Sequence, residues 1–208
     1  MAVPVPVSTL RHALYQTNLG ILHQKRAVID SLIRRFGPEL AKEWYKSPCH
    51  MVQASIGQHI RHSMDHMELT ILSATNAVTQ TEENLHLHYD YRVRGGTLEH
   101  DMMEAQKRIV NLSLQLQINI CSTNIKPNNQ KVDAYAHFML MSDGIEVSLP
   151  STIERELGFV AHHAIHHMAM IKLIAIHHVG LDVSDFPHDF GRAPSTLLFD
   201  ATSIETST

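Results

Sequence analysis

The sequence predicts an all-α protein, a four-helix bundle with a small β-hairpin before its last helix. Three observations lead to this prediction. Four segments repeat apolar residues at the spacing of an α-helix, capping residues and Gly-Pro breaks separate them, and one pair of β-prone runs flanks an Asp-Gly turn. Each amphipathic helix must bury its apolar stripe against its neighbours, and a bundle meets that requirement.

The first two helices have recognisable boundaries. Apolar residues at helical spacing predict a helix over about residues 9–36, which Gly37 and Pro38 should end. Residues 55–58 read S-x-x-Q, the form of a capping box, in which two side chains satisfy backbone N–H groups at a helix start. A second helix should run from there to about Ala77.

The next segment is polar and should form a long loop over residues 78–96. Thr97 is the predicted N-cap of a third helix, which should cover about residues 98–120. After it, residues 132–140 and 145–149 are β-prone and flank an Asp-Gly turn, which predicts the hairpin.

The fourth helix should open at a second capping box, S-x-x-E over residues 151–154, and continue to Val179 before Gly180 ends it. From about residue 181 the tail is rich in Pro, Gly, Ser and Thr, and irregular coil is expected there. The length of 208 residues suits a single domain over residues 1–208.

Composition narrows the class of protein. Hydrophobic residues make up 44% and charged residues 18% of the chain, as in a folded domain. The net charge of -4 and the scattered lysines and arginines argue against nucleic acid as a partner. The absence of a secretory signal pattern or a long uninterrupted apolar run argues against a membrane, and only two cysteines occur, Cys49 and Cys121. A cytoplasmic location is expected.

Histidine is unusually abundant, at 17 residues, as many as lysine and arginine together. Residues 161–168 read AHHAIHHM, which contains two interleaved pairs, His162 with His166 and His163 with His167. Residues four apart lie on one helix face, so each pair can present two imidazoles to one ion. The spacing alone does not decide which of the two pairs binds the ion.

The surroundings of these histidine pairs favour a metal site over a chance occurrence of the spacing. The helix around these pairs is apolar on nearly every side, and buried imidazoles there need coordination or hydrogen bonds. Helix two offers a third ligand from His59, His62 or His66, which share one stripe, and Asp65 could orient a ligand from nearby. Three imidazoles with an open position are typical of a working metal site, but they suit Zn, Ni, Fe, Co and Cu alike.

On these residues the chain resembles the DinB-like superfamily, which includes the YfiT-type proteins. His62-Ser-Met-Asp65 is similar to the family's element on helix two, and residues 163–167, HAIHH, are similar to its run on the last helix. The resemblance covers about residues 55–195 and implies that His62, His163 and His167 bind a divalent metal. It also implies a neighbouring role for the extra histidines, which leave other ligand choices open: His59, His66, His162 and His166. Ser63 departs from the large apolar residue usual after the first ligand.

The resemblance implies a metal-dependent enzyme acting on small molecules, either a transferase that uses a low-molecular-weight thiol or a hydrolase. His66 or His166 could act as general base. Arg92 and Arg94 could hold an anionic substrate group, although a structural ion-pair network with Asp90 explains these arginines equally well.

Two other functions fit the same residues. The ion could merely stabilise a non-catalytic, stress-associated bundle protein. Alternatively, the histidines could pair among themselves in an interaction module. A homodimer is expected from base rates alone.

Overall fold

The computed structural model describes residues 6–79, 85–91, 96–121 and 133–205. Helices make up most of these residues, and the remainder includes one three-stranded sheet. The helices are α1 (Val7–Lys46), α2 (Ile56–Thr79), α3 (Met102–Cys121), α4 (Ile153–Ile174) and α5 (Pro194–Glu205), and the strands are β1 (Leu85–His88), β2 (Asp133–Met139) and β3 (Glu146–Thr152). The predicted predominance of helix is therefore confirmed.

Helices α1 to α4 pack against one another around one apolar core. α2 lies along α4, and α1 contacts both α3 and α4. Fully buried side chains on three of these helices illustrate how the core is filled: Leu22, Ile29 and Leu32 from α1, Ile60 and Met64 from α2, and Leu157, Val160 and Ile171 from α4. The same packing explains why α4 is apolar on most sides.

Helix α4 and its π-helical last turn, Ile153–Val179, are together long and apolar enough to cross a membrane by length and composition. A helix enclosed by its neighbours has the same composition, and α4 contacts both α1 and α2. Gly180 ends it in the left-handed conformation (φ 86°), at the predicted position.

Gly37 and Pro38 kink α1 rather than end it. Gly37 has φ 74° and ψ 164°, outside the helical region, and a second helical segment follows it to Lys46. The predicted stop is therefore wrong, because proline lacks only a donor that the first turn of a helix leaves unused.

The predicted N-cap is correct for α2, whereas α3 and α4 begin at other capping residues than predicted. Ser55 and Gln58 exchange the two hydrogen bonds of a capping box, at 2.9 and 3.1 Å, as predicted. The predicted Thr97 cap is wrong, because a short 3-10 turn intervenes and the Asp101 carboxylate accepts the first backbone N–H bonds of α3. At α4 the cap is Thr152, one residue after the predicted start.

The hairpin of β2 and β3 is present, with its turn at Asp143 and Gly144 (φ 79°). A third strand adds to it, because β1 pairs parallel to β2. The prediction of a loop throughout residues 78–96 is therefore wrong in its middle. In β1 the sequence LHLH alternates buried leucine with exposed histidine, which is the period of a strand with one buried face.

The tail is more ordered than its composition indicated. Phe190 is fully buried, and α5 begins at Pro194. Gly191 has φ 66°, and a β-carbon there would lie 2.8 Å from the backbone nitrogen of Ala169. The tail thus crosses α4 at a point where only glycine fits.

Candidate metal centre

Five histidines gather where α2 lies along α4. They are His59, His62 and His66 on α2, and His163 and His167 on α4. The ring nitrogens of His62 and His163 lie 3.0 Å apart, Nε2 to Nε2. Two ligand nitrogens bound to one tetrahedral zinc ion at about 2.0 Å would be separated by about 3.3 Å. The separation of these two nitrogens is thus close to that of ligands sharing one ion.

His66 completes a compact set of donors with this pair. Ring nitrogens of His62, His66 and His163 all lie within 4.8 Å of one another. The His66 ring stacks on His163 with centroids 4.5 Å apart and planes 12° apart. His62 and His66 are four residues apart on α2, and the sequence analysis left His66 open both as an alternative ligand and as a general base.

His167, which the family resemblance implied as a ligand, borders the same set. Its ring centroid lies 4.5 Å from that of His62 and 4.6 Å from that of His163. Its Nδ1 lies 2.8 Å from Nδ1 of His59. A hydrogen bond at one ring nitrogen fixes the tautomer and leaves the other nitrogen as the metal donor.

The second pair on α4 points elsewhere. His162 and His166 are exposed, whereas His163 and His167 are partly buried against α2. The two pairs that spacing could not separate are therefore distinguished by burial. Of the two candidate bases, His166 lies at the solvent edge, while His66 is only 5% exposed.

Burial favours the neutral form of two histidines in this cluster, His59 and His167. It is the main cause that lowers the pKa of His59 to about 4 and that of His167 to about 2. Neighbouring imidazoles lower both values further, His166 for His59, and His62 and His163 for His167. Neutral imidazole is the form that binds metal, and His59 Nε2 is buried with no hydrogen-bond partner in the described part of the chain. The cluster is therefore chemically suited to a divalent ion.

A buried lysine lies behind the cluster and was missed at the sequence level. Lys25 of α1 is fully buried and donates a hydrogen bond to Ser63, the residue after His62. Burial lowers the pKa of Lys25 to about 7. The small Ser63, unusual for the resembled family, thus supplies an acceptor for Lys25. A lysine within the apolar stripe of helix one was the available signal.

Aromatic residues enclose the cluster on one side. The Tyr89 ring lies 4.9 Å from that of His66, and its hydroxyl donates a 2.8 Å hydrogen bond to the fully buried Glu156. The Phe159 ring stacks near His163, with centroids 5.6 Å apart. Tyr89, hydrogen-bonded to Glu156, thus packs against the histidines.

The remaining candidates have other surroundings. Asp65 lies in an ion-pair network with Arg61 (3.4 Å) and Arg108 (3.9 Å), which joins α2 to α3, and its role in orienting a ligand stays a prediction. Asp90 accepts a 2.7 Å hydrogen bond from the backbone of Met139. Arg92 and Arg94 lie outside the described residues, so their proposed roles are untested.

A described arginine lines a groove close to the cluster. Arg155 and Phe138 line an open groove of about 430 Å³ beside β2 and β3. Phe138 meets Phe159 edge to face at 5.6 Å, and Phe159 in turn contacts His163. One aromatic ring therefore separates this groove from the histidines.

A separate group lies near the end of α4. Cys49, His50 and His178 offer ligand atoms within 4.8 Å of one another. Cys49 is buried with a free thiol. Nε2 of His178 lies 3.0 Å from the Ser47 hydroxyl.

No protein-family model matches this chain, and no solved structure matches it. Among curated proteins, FK506-binding protein 5 of Rhizopus delemar is 33% identical over 137 residues. The match covers 59% of this chain and 33% of that protein. This chain therefore spans about a third of the length of the curated relative it matches.

Proposed function

We propose that this chain is a metalloprotein of the DinB-like kind, in which α1 to α4 form a four-helix bundle around a divalent metal. His62 and His163 would hold the ion, with His66 or His167 as the third ligand. The observation that carries the proposal is the 3.0 Å approach of the two Nε2 atoms within a partly buried histidine cluster. The donor spacing favours His66 as the third ligand, and the family resemblance favours His167.

The proposed activity is transfer of a small-molecule group to a low-molecular-weight thiol, or hydrolysis. A divalent ion held by neutral imidazoles supplies Lewis acidity and polarises what binds beside it. Of the histidines that do not ligate, His66 would accept a proton if His167 is the third ligand. Arg155 would attract an anionic group to the groove, since its side chain is 59% exposed and its guanidinium lies over the Phe159 ring. The family resemblance supports a low-molecular-weight thiol as co-substrate. We also propose a cytoplasmic location.

Metal binding and ligand identity can be tested together. Chelator-treated protein would be titrated with Zn²⁺ and with Ni²⁺ by calorimetry, with thermal stability as a second readout. His62→Gln and His163→Gln should each weaken binding at least about tenfold. His162→Gln is the matched control, because His162 is exposed beside His163 and should leave affinity unchanged. Unchanged affinity in His163→Gln would overturn the site.

The third ligand is identified by His66→Gln and His167→Gln, only one of which should match the loss in His163→Gln. X-ray absorption of the zinc-loaded protein then separates an enzyme from a structural site. Three imidazoles with exchangeable oxygen support catalysis, whereas four protein ligands support the rival, a metal that only stabilises a non-catalytic bundle.

The name of the Rhizopus delemar relative supplies an alternative, a module that binds FK506. The match covers a third of that protein. A shift in thermal stability on adding FK506 to the metal-free protein would favour this alternative.

A further inference from the structure

The outer face of the sheet carries a second group of histidines, separate from the cluster between α2 and α4. In β1 the leucines face the core, and His86 and His88 are exposed. His137 on β2 lies on the same face, because it alternates with the buried Ala134 and Ala136. Glu146 on β3 also lies there, because it pairs with Met139, two residues along β2 from His137. Side chains from all three strands therefore meet on one surface.

The pairing of the strands explains the meeting. His88 is directly beside His137 in the parallel pair, and their rings stack with centroids 4.1 Å apart. Glu146 lies opposite Met139, two residues along β2 from His137, so Glu146 is diagonal to His137 across the antiparallel pair. Long side chains reach one another across such a diagonal.

The donor atoms converge. The Glu146 carboxylate oxygen Oε2 lies 2.6 Å from Nδ1 of His88. His137 Nε2 lies 2.9 Å from Nδ1 of His86. One ligand atom from each of His88, His137 and Glu146 falls within 4.8 Å of the others.

Glu146 is the least expected member of this surface. Its side chain is only 7% exposed, although it lies at the end of an exposed strand. Its Oε1 is buried and has no hydrogen-bond partner among the described residues. A buried carboxylate oxygen without a partner is costly, and a bound cation would satisfy it.

We propose that His88, His137 and Glu146 form a second metal site, specific for a divalent transition-metal ion such as Zn²⁺ or Cu²⁺. Two imidazoles and one carboxylate suit these borderline ions, whereas Mg²⁺ and Ca²⁺ prefer oxygen ligands throughout. His86 lies within reach of His137 as a further imidazole. An ion here would join all three strands.

The test compares zinc stoichiometry and affinity between variants of the metal-free protein. The double variant His88→Gln with His137→Gln should bind one zinc ion fewer per chain. Glu146→Gln should weaken the affinity for that ion at least about tenfold. His12→Gln with His23→Gln is the control, since both histidines are exposed on α1. His62→Gln with His163→Gln removes the core site, so the sheet site should survive in it.

These variants distinguish a failure of the sheet-site proposal from a failure of the core-site proposal. Stoichiometry and affinity that do not change in the His88 and His137 variant would overturn the sheet site, whatever happens at the core. A second measurement uses the unmodified chain, in which zinc should slow diethyl pyrocarbonate modification of His88 and His137. Equal modification rates with and without zinc would also overturn the proposal.

Discussion

Lys25 donates a hydrogen bond to Ser63, and both side chains are fully buried behind the histidine cluster. This contact places an amine from α1 next to the helix that carries three of the clustered histidines. Its position also explains why the pKa values of His59 and His167 include a contribution from Lys25. The free energy of unfolding should therefore depend on pH in a way that these residues control.

Lys25→Met should stabilise the metal-free protein near neutral pH. Burial lowers the pKa of Lys25 to about 7 in the folded state, whereas the unfolded chain has a pKa of about 10.4. The unfolded state therefore binds more protons across this window, so stability rises with pH from about 7 to about 10. The penalty is fully present below the folded pKa, and at about 1.4 kcal/mol per pKa unit it amounts to a few kcal/mol.

Urea unfolding across that pH range measures the effect. The variant should show a flatter profile and a higher free energy of unfolding at the low end. Lys42→Met serves as control, because Lys42 is 40% exposed and pairs with Glu39 at the surface. A profile in Lys25→Met as steep as that of the unsubstituted chain would contradict the expectation.

The metal-free protein should lose stability in mild acid through His59 and His167. Burial lowers the pKa of His59 to about 4 and of His167 to about 2, whereas unfolded histidine titrates near about 6.5. The unfolded state gains protons first as pH falls, so stability decreases below about pH 6.5 and continues to decrease toward the folded values. His59→Gln should reduce this acid sensitivity.

The melting temperature as a function of pH is the appropriate measurement, on chelator-treated samples. His12→Gln provides the comparison, because His12 is exposed. If the His59 and His12 variants lose stability equally between about pH 6.5 and pH 4, burial of His59 is not the cause.

Gly191→Ala should destabilise the fold. Its φ of 66° is in the left-handed region, and the added β-carbon would press on backbone atoms of Met168 and Ala169 at 2.9 and 2.8 Å. Strain of this kind costs about 1–3 kcal/mol. Gly20→Ala is a control of opposite sign, since Gly20 is exposed in α1 with open space and alanine favours a helix by about 0.5–1 kcal/mol. Urea unfolding of both variants decides whether the crossing at Gly191 is tight.

Tyr89→Phe should cost about 1–3 kcal/mol in stability, because Glu156 and Thr70 lose a buried hydrogen-bond partner. The ring and its contact with His66 remain. Tyr91→Phe is the matched control, since Tyr91 is 64% exposed and its hydroxyl should matter little. Equal stability of the two variants would show that Tyr89 contributes through its ring alone.

The sequence predicted those features that depend on local patterns. Apolar spacing identified the long helices, and the side chains of Ser55 and Gln58 form the predicted capping box. The Asp-Gly pair located the hairpin because Gly144 supplies the positive φ (79°) that the turn needs. The histidines predicted to lie near one another on α2 and α4 are in contact.

Features that depend on distant partners were not predictable. The strand β1 needs β2, which lies more than forty residues away along the chain, and the tail segment at Gly191 needs the surface of α4. Whether His66 or His167 is the third ligand depends on how the side chains of two neighbouring helices are oriented toward each other. The spacing of residues on one helix cannot determine this. The contact of Lys25 with Ser63 joins residues of two different helices, so no local pattern indicates it.

The parallel pairing of β1 with β2 bears on the order in which the chain folds. During synthesis β1 emerges before α3, and its partner is not available until α3 has been completed. Such long-range closure is slow compared with helix formation. A nascent chain therefore carries an unpaired Leu-His-Leu-His segment through most of α3 synthesis, and its exposed histidines lower the hydrophobicity of an edge that could otherwise aggregate.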